Sequence, residues 1–158
     1  MRLIFKQRLF SWFDSYDIFD ENGSPIFSVA GRLSWGHRLE ISDAAGSYLG
    51  MVKEELFHFL PCFQLWNAEC CIGNVRREFS FFHPIYHLDY QGWRVEGDFM
   101  AWDYDVTDAS GRAVAHLSKE LFHLTDTYVL EIAEAQDALL VLMIALAIDA
   151  ANCSSQGG

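Results

Sequence analysis

Basic side chains at two places give this 158-residue sequence its clearest potential chemistry, the binding of an anionic group. Arg2, Lys6 and Arg8 alternate along a segment predicted to form the first strand, so we expect them to share one of its faces. Arg76 and Arg77 form the other basic cluster. If the clusters meet in space, each cation adds about 1 kcal/mol to binding near an anionic lipid surface. These five residues are the candidate ligand-binding residues, and a solvated outer face is the alternative.

The overall charge opposes long-range attraction to anionic partners. The 22 acidic and 11 basic side chains give a formal net charge of −11. Such a chain repels anionic surfaces at long range, and it lacks the basic face that a nucleic-acid binder needs to neutralise phosphates. We therefore predict no nucleic-acid partner. The ligand is left open between a phosphoinositide or other anionic molecule and a protein partner.

Neither of the two motifs that resemble metal sites has the required spacing. Asp103, Asp105 and Asp108 lead to Gly111, but the remaining positions of a twelve-residue calcium loop do not carry the required ligands. His83 and His87 would lie about 13 Å apart on a strand, too far for one zinc ion. We predict no metal and no other cofactor.

No motif in the sequence indicates catalysis. It contains no G-x-S-x-G elbow and no glycine-rich phosphate loop. The cysteines Cys62, Cys70, Cys71 and Cys153 form no C-x-x-C pair, and we predict reduced thiols. We therefore predict a non-enzymatic protein. An uncharacterised enzyme with a cysteine and a histidine brought together in space remains an alternative.

The elements that would position these residues are mostly strands. Asp20–Gly23, Asp43–Gly46, Asp89–Gly92 and Asp108–Gly111 each have the pattern Asp-x-x-Gly, which is typical of a hairpin turn. A fifth turn is predicted at 66–69. The flanking segments alternate or are rich in β-branched and aromatic residues, which predicts about twelve strands and one helix, from about Ala135 to Ala151.

An internal repeat divides the sequence into two related halves. Residues 43–58 match residues 108–123 at a constant offset of 65, including Glu55-Leu-Phe-His58 and Glu120-Leu-Phe-His123. The recurring histidines His58 and His123 suggest a structural role at a corner. The repeat is rich in aromatic residues, which we predict to pack in the core and at strand corners; they include Trp12, Phe57, Phe59, Phe81, Phe82 and Phe122.

The C-terminal segment must be enclosed by the strands. Residues 138–148 carry no polar side chain, and as a helix they would be only about 16 Å long, too short to cross a membrane of about 30 Å. A helix that is apolar on every side has to be surrounded by protein. About twelve strands closed into a barrel leave a lumen that such a helix would fill. The predicted fold is thus mainly β, a closed antiparallel barrel around a C-terminal hydrophobic helix.

Several segments of the sequence together resemble a known family. They are residues 6–11 with 20–23, 93–98 with 101–104, 118–122 with 126–128, and the apolar helix that closes on Asp149. With these segments the chain resembles the LURP-one-related proteins, which group with the tubby C-terminal domains and the phospholipid scramblases. The resemblance extends from about Met1 to Ala151. It implies a twelve-stranded barrel around a central helix.

The functional implications of the resemblance are less specific. Tubby domains bind phosphoinositide head groups on the barrel exterior, whereas scramblases add a proline-rich extension that this chain, with three prolines, lacks. We predict one domain over residues 1–151 with a flexible tail at 152–158, a cytoplasmic location because no signal peptide is present, and a binding module as the function. A membrane-associated, scramblase-like protein whose helix leaves the barrel is the alternative.

Overall fold

The computed structural model describes residues 1–5, 15–32, 34–122 and 125–156. Within these residues it contains twelve strands and one α-helix. The strands are β1 (Arg2–Phe5), β2 (Ser15–Asp20), β3 (Pro25–Gly31), β4 (Arg38–Asp43), β5 (Tyr48–Glu54), β6 (Cys62–Asn67), β7 (Cys71–Glu78), β8 (Ile85–Leu88), β9 (Trp93–Asp98), β10 (Asp103–Thr107), β11 (Ala113–Phe122) and β12 (Thr125–Ile132). A short 3-10 turn, Ala135–Asp137, precedes the helix α1 (Ala138–Gln156).

The strands form a closed antiparallel barrel. Each strand pairs with its neighbours in the sequence, and β1 pairs with β12 from Arg2 opposite Glu131 to Phe5 opposite Tyr128. None of the described strands therefore presents an unpaired edge that another chain could join. The number of strands and their pairing confirm the predicted mainly β fold with about twelve strands.

The lumen is filled by α1. Alternate strand residues such as Leu3, Val29 and Leu65 point inward and are fully buried, and they enclose helix residues that are equally buried, including Leu142 and Ile144. The inward-facing residues meet apolar side chains on every side of the helix, which explains why α1 needs no polar face. At Gly50 a side chain would come within 2.7 Å of the Met143 methyl group, so the absence of a side chain there lets β5 approach the helix.

The helix is longer than the sequence analysis predicted. It ends at Gln156 instead of about Ala151, so residues 152–156, which we expected in a flexible tail, continue the helix. Residues 135–154 are long and apolar enough to cross a membrane by length and composition, although 72% of the most apolar window is buried inside the barrel. The prediction from the apolar run of eleven residues therefore made the helix too short. The predicted enclosure of the helix by the strands is confirmed.

One end of the barrel, which we call the turn end, is closed by five short connections. The aspartates of three predicted turns, Asp20, Asp43 and Asp108, each accept two backbone hydrogen bonds within their own turn through Oδ1. A hydrogen bond from the Ser110 hydroxyl and those backbone bonds lower the pKa of Asp108 to about 2. The fourth aspartate differs, since Asp89 binds the backbone and side-chain nitrogens of Asn74 on β7.

The internal repeat corresponds to half a barrel. The Asp43 turn joins β4 to β5, and the Asp108 turn joins β10 to β11, six strands further along the chain. In a closed barrel of twelve strands these two hairpins lie on opposite sides. The offset of 65 residues thus matches a rotation by six strands.

Candidate functional site

The opposite end of the barrel, which we call the loop end, carries the connections β5–β6, β7–β8 and β9–β10, together with β3–β4, which is described except at residue 33. Three of these four are longer than the turn-end connections, and β9–β10 is as short as they are. The C-terminal half of α1 also reaches this end, because β12 runs toward the turn end and the helix then returns through the lumen.

Arg2, the described member of the first basic cluster, is not brought near the second cluster, Arg76 and Arg77. Arg2 lies on β1 at the turn end, where its guanidinium forms salt bridges with Glu120 (2.9 Å) and Glu131 (3.4 Å). Arg76 and Arg77 lie on β7, six strands away around the barrel. Lys6 and Arg8 fall outside the described residues. Joint binding of one ligand by Arg2 with Arg76 and Arg77 therefore has no support in this geometry.

Arg76 and Arg77 also point in different directions. Because neighbouring residues on a strand face opposite sides of a sheet, Arg76 is exposed on the outside while Arg77 turns toward the mouth of the barrel. Arg77 is close enough to the Tyr86 hydroxyl to act on its pKa, which burial raises and the nearby guanidinium partly offsets. Among the described members of the predicted set, Arg77 thus lies at the loop end beside the lumen.

A cavity of about 970 Å³ opens beside Arg77. It lies between the β7–β8 and β9–β10 connections, and the last turns of α1 contribute to it. Aromatic and aliphatic side chains, among them Phe82, Pro84, Tyr86 and Phe99, make up one part of its wall. The other part is polar and carries both signs of charge, with Arg77, His83, Glu96, Asp98 and Asn152. A site that combines apolar walls with a few polar groups is typical of those that bind partly apolar ligands.

The loop end exposes a ring of large apolar side chains that we call the aromatic rim. Phe57 is fully exposed, Phe59 is 94% exposed and Trp35 is 90% exposed. All described Phe and Trp residues that are exposed lie at this end, whereas the turn end exposes only Met1, Tyr48 and Tyr90, each to 53% or less. The rim comprises Trp35, Phe57, Phe59, Phe79, Phe81, Phe82 and Met100.

The rim corrects one prediction from the sequence. We expected Phe57, Phe59, Phe81 and Phe82 in the core or in strand corners, and the structure exposes all four. They were misassigned because they lie in connections, where the alternation of a strand no longer assigns residues to an inner face. The same prediction for Trp12 and for the side chain of Phe122 falls outside the described residues.

Beneath the rim, a buried aromatic cluster supports the loop end. Trp102 packs against Tyr128 with ring centroids 4.7 Å apart, and Tyr128 stacks on Phe5 at 5.2 Å. Phe99 contacts both Tyr86 and Tyr104 at 5.0 Å. Offset and edge-to-face pairs of this kind add about 0.5–1.5 kcal/mol each beyond area burial. The β9–β10 connection therefore holds Phe99 and Trp102 inside while it presents Met100 to solvent.

The end of α1 is tied to the connections around it. Asn152 Nδ2 donates a 2.9 Å hydrogen bond to the Phe99 carbonyl, and His37 Nε2 lies 2.8 Å from the Ser154 hydroxyl. Asp149 is buried within the barrel, and its charge adds to the burial that raises the pKa of Tyr104 well above its ordinary value. These contacts connect the central helix to two of the rim-bearing connections.

A second cluster lies in the β5–β6 connection. Glu55 Oε2 is 2.7 Å from His58 Nε2 and 3.3 Å from Cys62 Sγ. Burial raises the pKa of the Cys62 thiol to about 11, and Glu55 contributes to this shift. The carboxyl pKa of Glu55 is lowered by the hydrogen bond from the Gln64 amide. Within the described part of the chain, these are the three His, Cys, Asp or Glu residues whose ligand atoms lie together, within 4.8 Å of one another.

Sequence reasoning did not identify this cluster. It assigned His58 a structural role, and it treated Cys62 only as a reduced thiol, in agreement with the free cysteines of the structure. The available signal was the spacing Glu55-x-x-His58-x-x-x-Cys62 between two predicted strands. The equivalent His123 lies outside the described residues.

Comparisons with known proteins agree with this fold. The sequence matches the LURP-one-related family over residues 1–149. It is 27% identical over 150 residues to the uncharacterised protein YxjI of Bacillus subtilis strain 168, and the match covers 94% of this chain and 92% of that one. The X-ray structure of a protein from Arabidopsis thaliana superposes with a TM-score of 0.57 at 14% identity and covers 91% of this chain and 89% of that one. The chain belongs to the LURP-one-related family.

Proposed function

We propose that the protein is a non-enzymatic barrel module that binds phospholipid surfaces peripherally through the aromatic rim. The observation that carries this proposal is the segregation of exposed Phe and Trp side chains to one end of the barrel. A contiguous exposed apolar patch on a soluble fold marks an interaction site. The rim residues stand at the tips of separate connections, an arrangement suited to a deformable lipid interface.

The energetics of insertion favour several aromatic side chains acting together. Full burial of one Phe contributes about 1.5–3 kcal/mol, and aromatic rings accumulate at the boundary between head groups and acyl chains. Phe79, Phe81 and Phe82 share the β7–β8 connection, and Phe57 and Phe59 share the β5–β6 connection. Two neighbouring connections thus offer five rings to the same surface.

Three cations at the loop end are available to an anionic head group, although Glu96 and Asp98 also line the cavity beside Arg77. Lys53, Arg76 and Arg77 lie in the half of the barrel nearest the rim, and none of them forms a salt bridge with another described residue. Arg77 at the cavity would contact a phosphate while the apolar walls accommodate the attached glycerol and the start of an acyl chain. Because the net charge is −11, we assign most of the binding free energy to the rim and a smaller share to the cations.

Peripheral binding keeps α1 inside the barrel. The helix is buried along most of its length, and Asn152 and Ser154 connect its end to the rim-bearing connections. A scramblase-like mechanism would instead require the helix to leave the lumen, which would empty the core. The enclosed helix therefore supports binding at the surface of the bilayer.

Co-sedimentation with vesicles tests the proposal. Wild-type protein should bind phosphatidylcholine vesicles weakly, and vesicles with phosphatidylserine or a phosphoinositide more tightly. Phe81→Ser with Phe82→Ser should weaken both by about tenfold or more, because two inserted rings are lost. The matched control, Tyr48→Ser with Tyr90→Ser at the turn end, should bind like the wild type. Arg77→Gln should weaken binding to anionic vesicles only.

Three outcomes would overturn the proposal. The first is wild-type protein that stays in the supernatant with every vesicle at low salt, which would leave a protein partner as the ligand of the rim. The second is a Phe81 and Phe82 variant that binds as well as the control variant. The third is loss of hydrogen-exchange protection along α1 in the vesicle-bound protein, because it would show the helix leaving the barrel.

A further inference from the structure

We propose that Glu55, His58 and Cys62 form a binding site for Zn²⁺ or a similar divalent transition metal. Their ligand atoms, one carboxylate oxygen, one imidazole nitrogen and one sulfur, lie within 4.8 Å of one another. Thiolate, imidazole and carboxylate are the ligands that Zn²⁺ takes in proteins, at about 2.0–2.3 Å. Calcium and magnesium prefer sites made of oxygen alone, so the donor set selects against them.

The backbone of the connection brings the three residues together. The Glu55 amide donates a 2.9 Å hydrogen bond to the Cys62 carbonyl, which closes the loop at its base. Between them, Phe57 adopts a φ of 72°, a left-handed conformation that is unusual for a residue with a side chain. This turn directs the Phe57 ring into solvent and brings His58 back onto Glu55.

A second layer of hydrogen bonds orients the carboxylate. Gln64 Nε2 donates to Glu55 Oε1, and Trp66 Nε1 donates to Gln64 Oε1 at 3.0 Å. Glu55 Oε1 is thereby held by Gln64, while Oε2 faces the imidazole and the thiol. Metal ligands are commonly positioned by outer partners of this kind, whose removal weakens affinity about 10–100-fold.

The same contacts indicate where the protons go when a metal binds. The Cys62 thiol donates its hydrogen bond to Glu55 Oε2, so a metal that takes this place displaces the thiol proton to solvent. His58 Nε2, which lies 2.7 Å from Glu55 Oε2 and donates a proton to that contact, must pass this proton to Nδ1 or to solvent before it ligates the metal. Three protein ligands then leave a fourth position for water or another ligand. The proposed site is independent of vesicle binding and is measured without lipid.

Titration of the chelator-treated, reduced protein with Co²⁺ and then Zn²⁺ tests the site. We expect one equivalent of Co²⁺ to produce the visible bands of a tetrahedral site and a thiolate charge-transfer band in the near ultraviolet, and Zn²⁺ to abolish both. Cys62→Ser should remove the charge-transfer band. Glu55→Gln and His58→Asn should weaken binding at least tenfold, and Gln64→Ala should weaken it about 10–100-fold.

The control is the double variant Cys70→Ser with Cys71→Ser. These adjacent cysteines are exposed at the turn end, and they are the obvious source of adventitious binding. The control should bind one metal ion as the wild type does. Binding that disappears in this control and persists in Glu55→Gln, His58→Asn and Cys62→Ser would overturn the proposal, and so would the absence of saturable binding by the wild type. If Cys62→Ser does not fold, the Glu55 and His58 variants decide the outcome.

Discussion

The side-chain amide of Asn152, near the end of α1, donates a 2.9 Å hydrogen bond to the backbone carbonyl of Phe99. Phe99 belongs to the β9–β10 connection, which presents Met100 in the rim and packs Trp102 in the aromatic cluster below it. The contact therefore connects the central helix directly to the proposed binding end. It also lies in the wall of the large cavity.

Substitution of Asn152 by Ala should loosen this end of the barrel without unfolding the domain. The loss of one partly buried hydrogen bond costs about 0.5–1.5 kcal/mol. We expect faster hydrogen exchange in residues 99–102 and in the last turns of α1, and unchanged exchange in the strands near the turn end. Ser110→Ala, in a turn at the far end, serves as the control. If both variants changed the exchange of residues 99–102 equally, the hydrogen bond from Asn152 to Phe99 would not be what holds this connection.

A charge in the lumen should unfold the protein. Leu142 and Ile144 are fully buried on α1, so Leu142→Asp or Ile144→Asp would place an unpaired carboxylate among apolar side chains. The cost of several kcal/mol is comparable to the whole stability of a typical domain. Circular dichroism and urea unfolding should find no cooperative transition. Gln136→Asp, at an exposed position just before α1, should unfold like the wild type, and a cooperative Leu142→Asp protein would contradict the enclosed helix.

The barrel could be predicted from the sequence because its turns depend on short local motifs and its central helix is apolar along one continuous segment. Asp20, Asp43 and Asp108 accept hydrogen bonds inside their own four-residue turns, so a short motif predicts each hairpin. The helix was predicted because it is apolar on every face, a property that only enclosure by other elements satisfies.

The candidate site was less predictable because it depends on connections and on distant strands. Arg2 and Arg77 are each visible as cations, but only the strand order places them on opposite sides of the barrel. The cluster of Glu55, His58 and Cys62 depends on the left-handed turn at Phe57, for which a Phe residue gives no sequence signal. Aromatic connections resemble strands in composition, which explains why the rim was assigned to the core.

Acidification should destabilise the protein through His37. Burial lowers the pKa of His37 below its ordinary value of 6.5, and the nearby Glu54 charge offsets this only in part. As the pH falls below 6.5, the unfolded chain therefore takes up a proton at this position before the folded protein does. The contribution of neutral, buried His37 to the free energy of unfolding is complete above pH 6.5. It is lost as the pH falls toward the lower pKa of His37 in the folded protein.

Urea unfolding at pH 7.5 and pH 5.5 measures this effect. The wild type should lose more free energy of unfolding on acidification than His37→Gln, which has no titrating ring. His83→Gln, which removes an exposed histidine at the same end, should follow the wild type. A wild type that gains stability relative to His37→Gln at pH 5.5 would show that the attraction to Glu54 dominates, contrary to this prediction.

The four cysteines should react at very different rates with an alkylating agent. Cys62 is 2% exposed, and burial together with the adjacent Glu55 carboxylate raises its pKa from 9.0 to about 11. A shift of this size lowers the thiolate fraction at pH 8 about 100-fold, and the thiolate is the reactive form. Iodoacetamide at pH 8, with a chelator present, should therefore modify the exposed Cys70 and Cys71 well before Cys62, as peptide mass spectrometry would measure.

Glu55→Gln should accelerate alkylation of Cys62, because it removes a negative charge that disfavours the thiolate. Alkylation of Cys62 at the rate of Cys70 in the folded wild type would contradict the buried, protonated thiol.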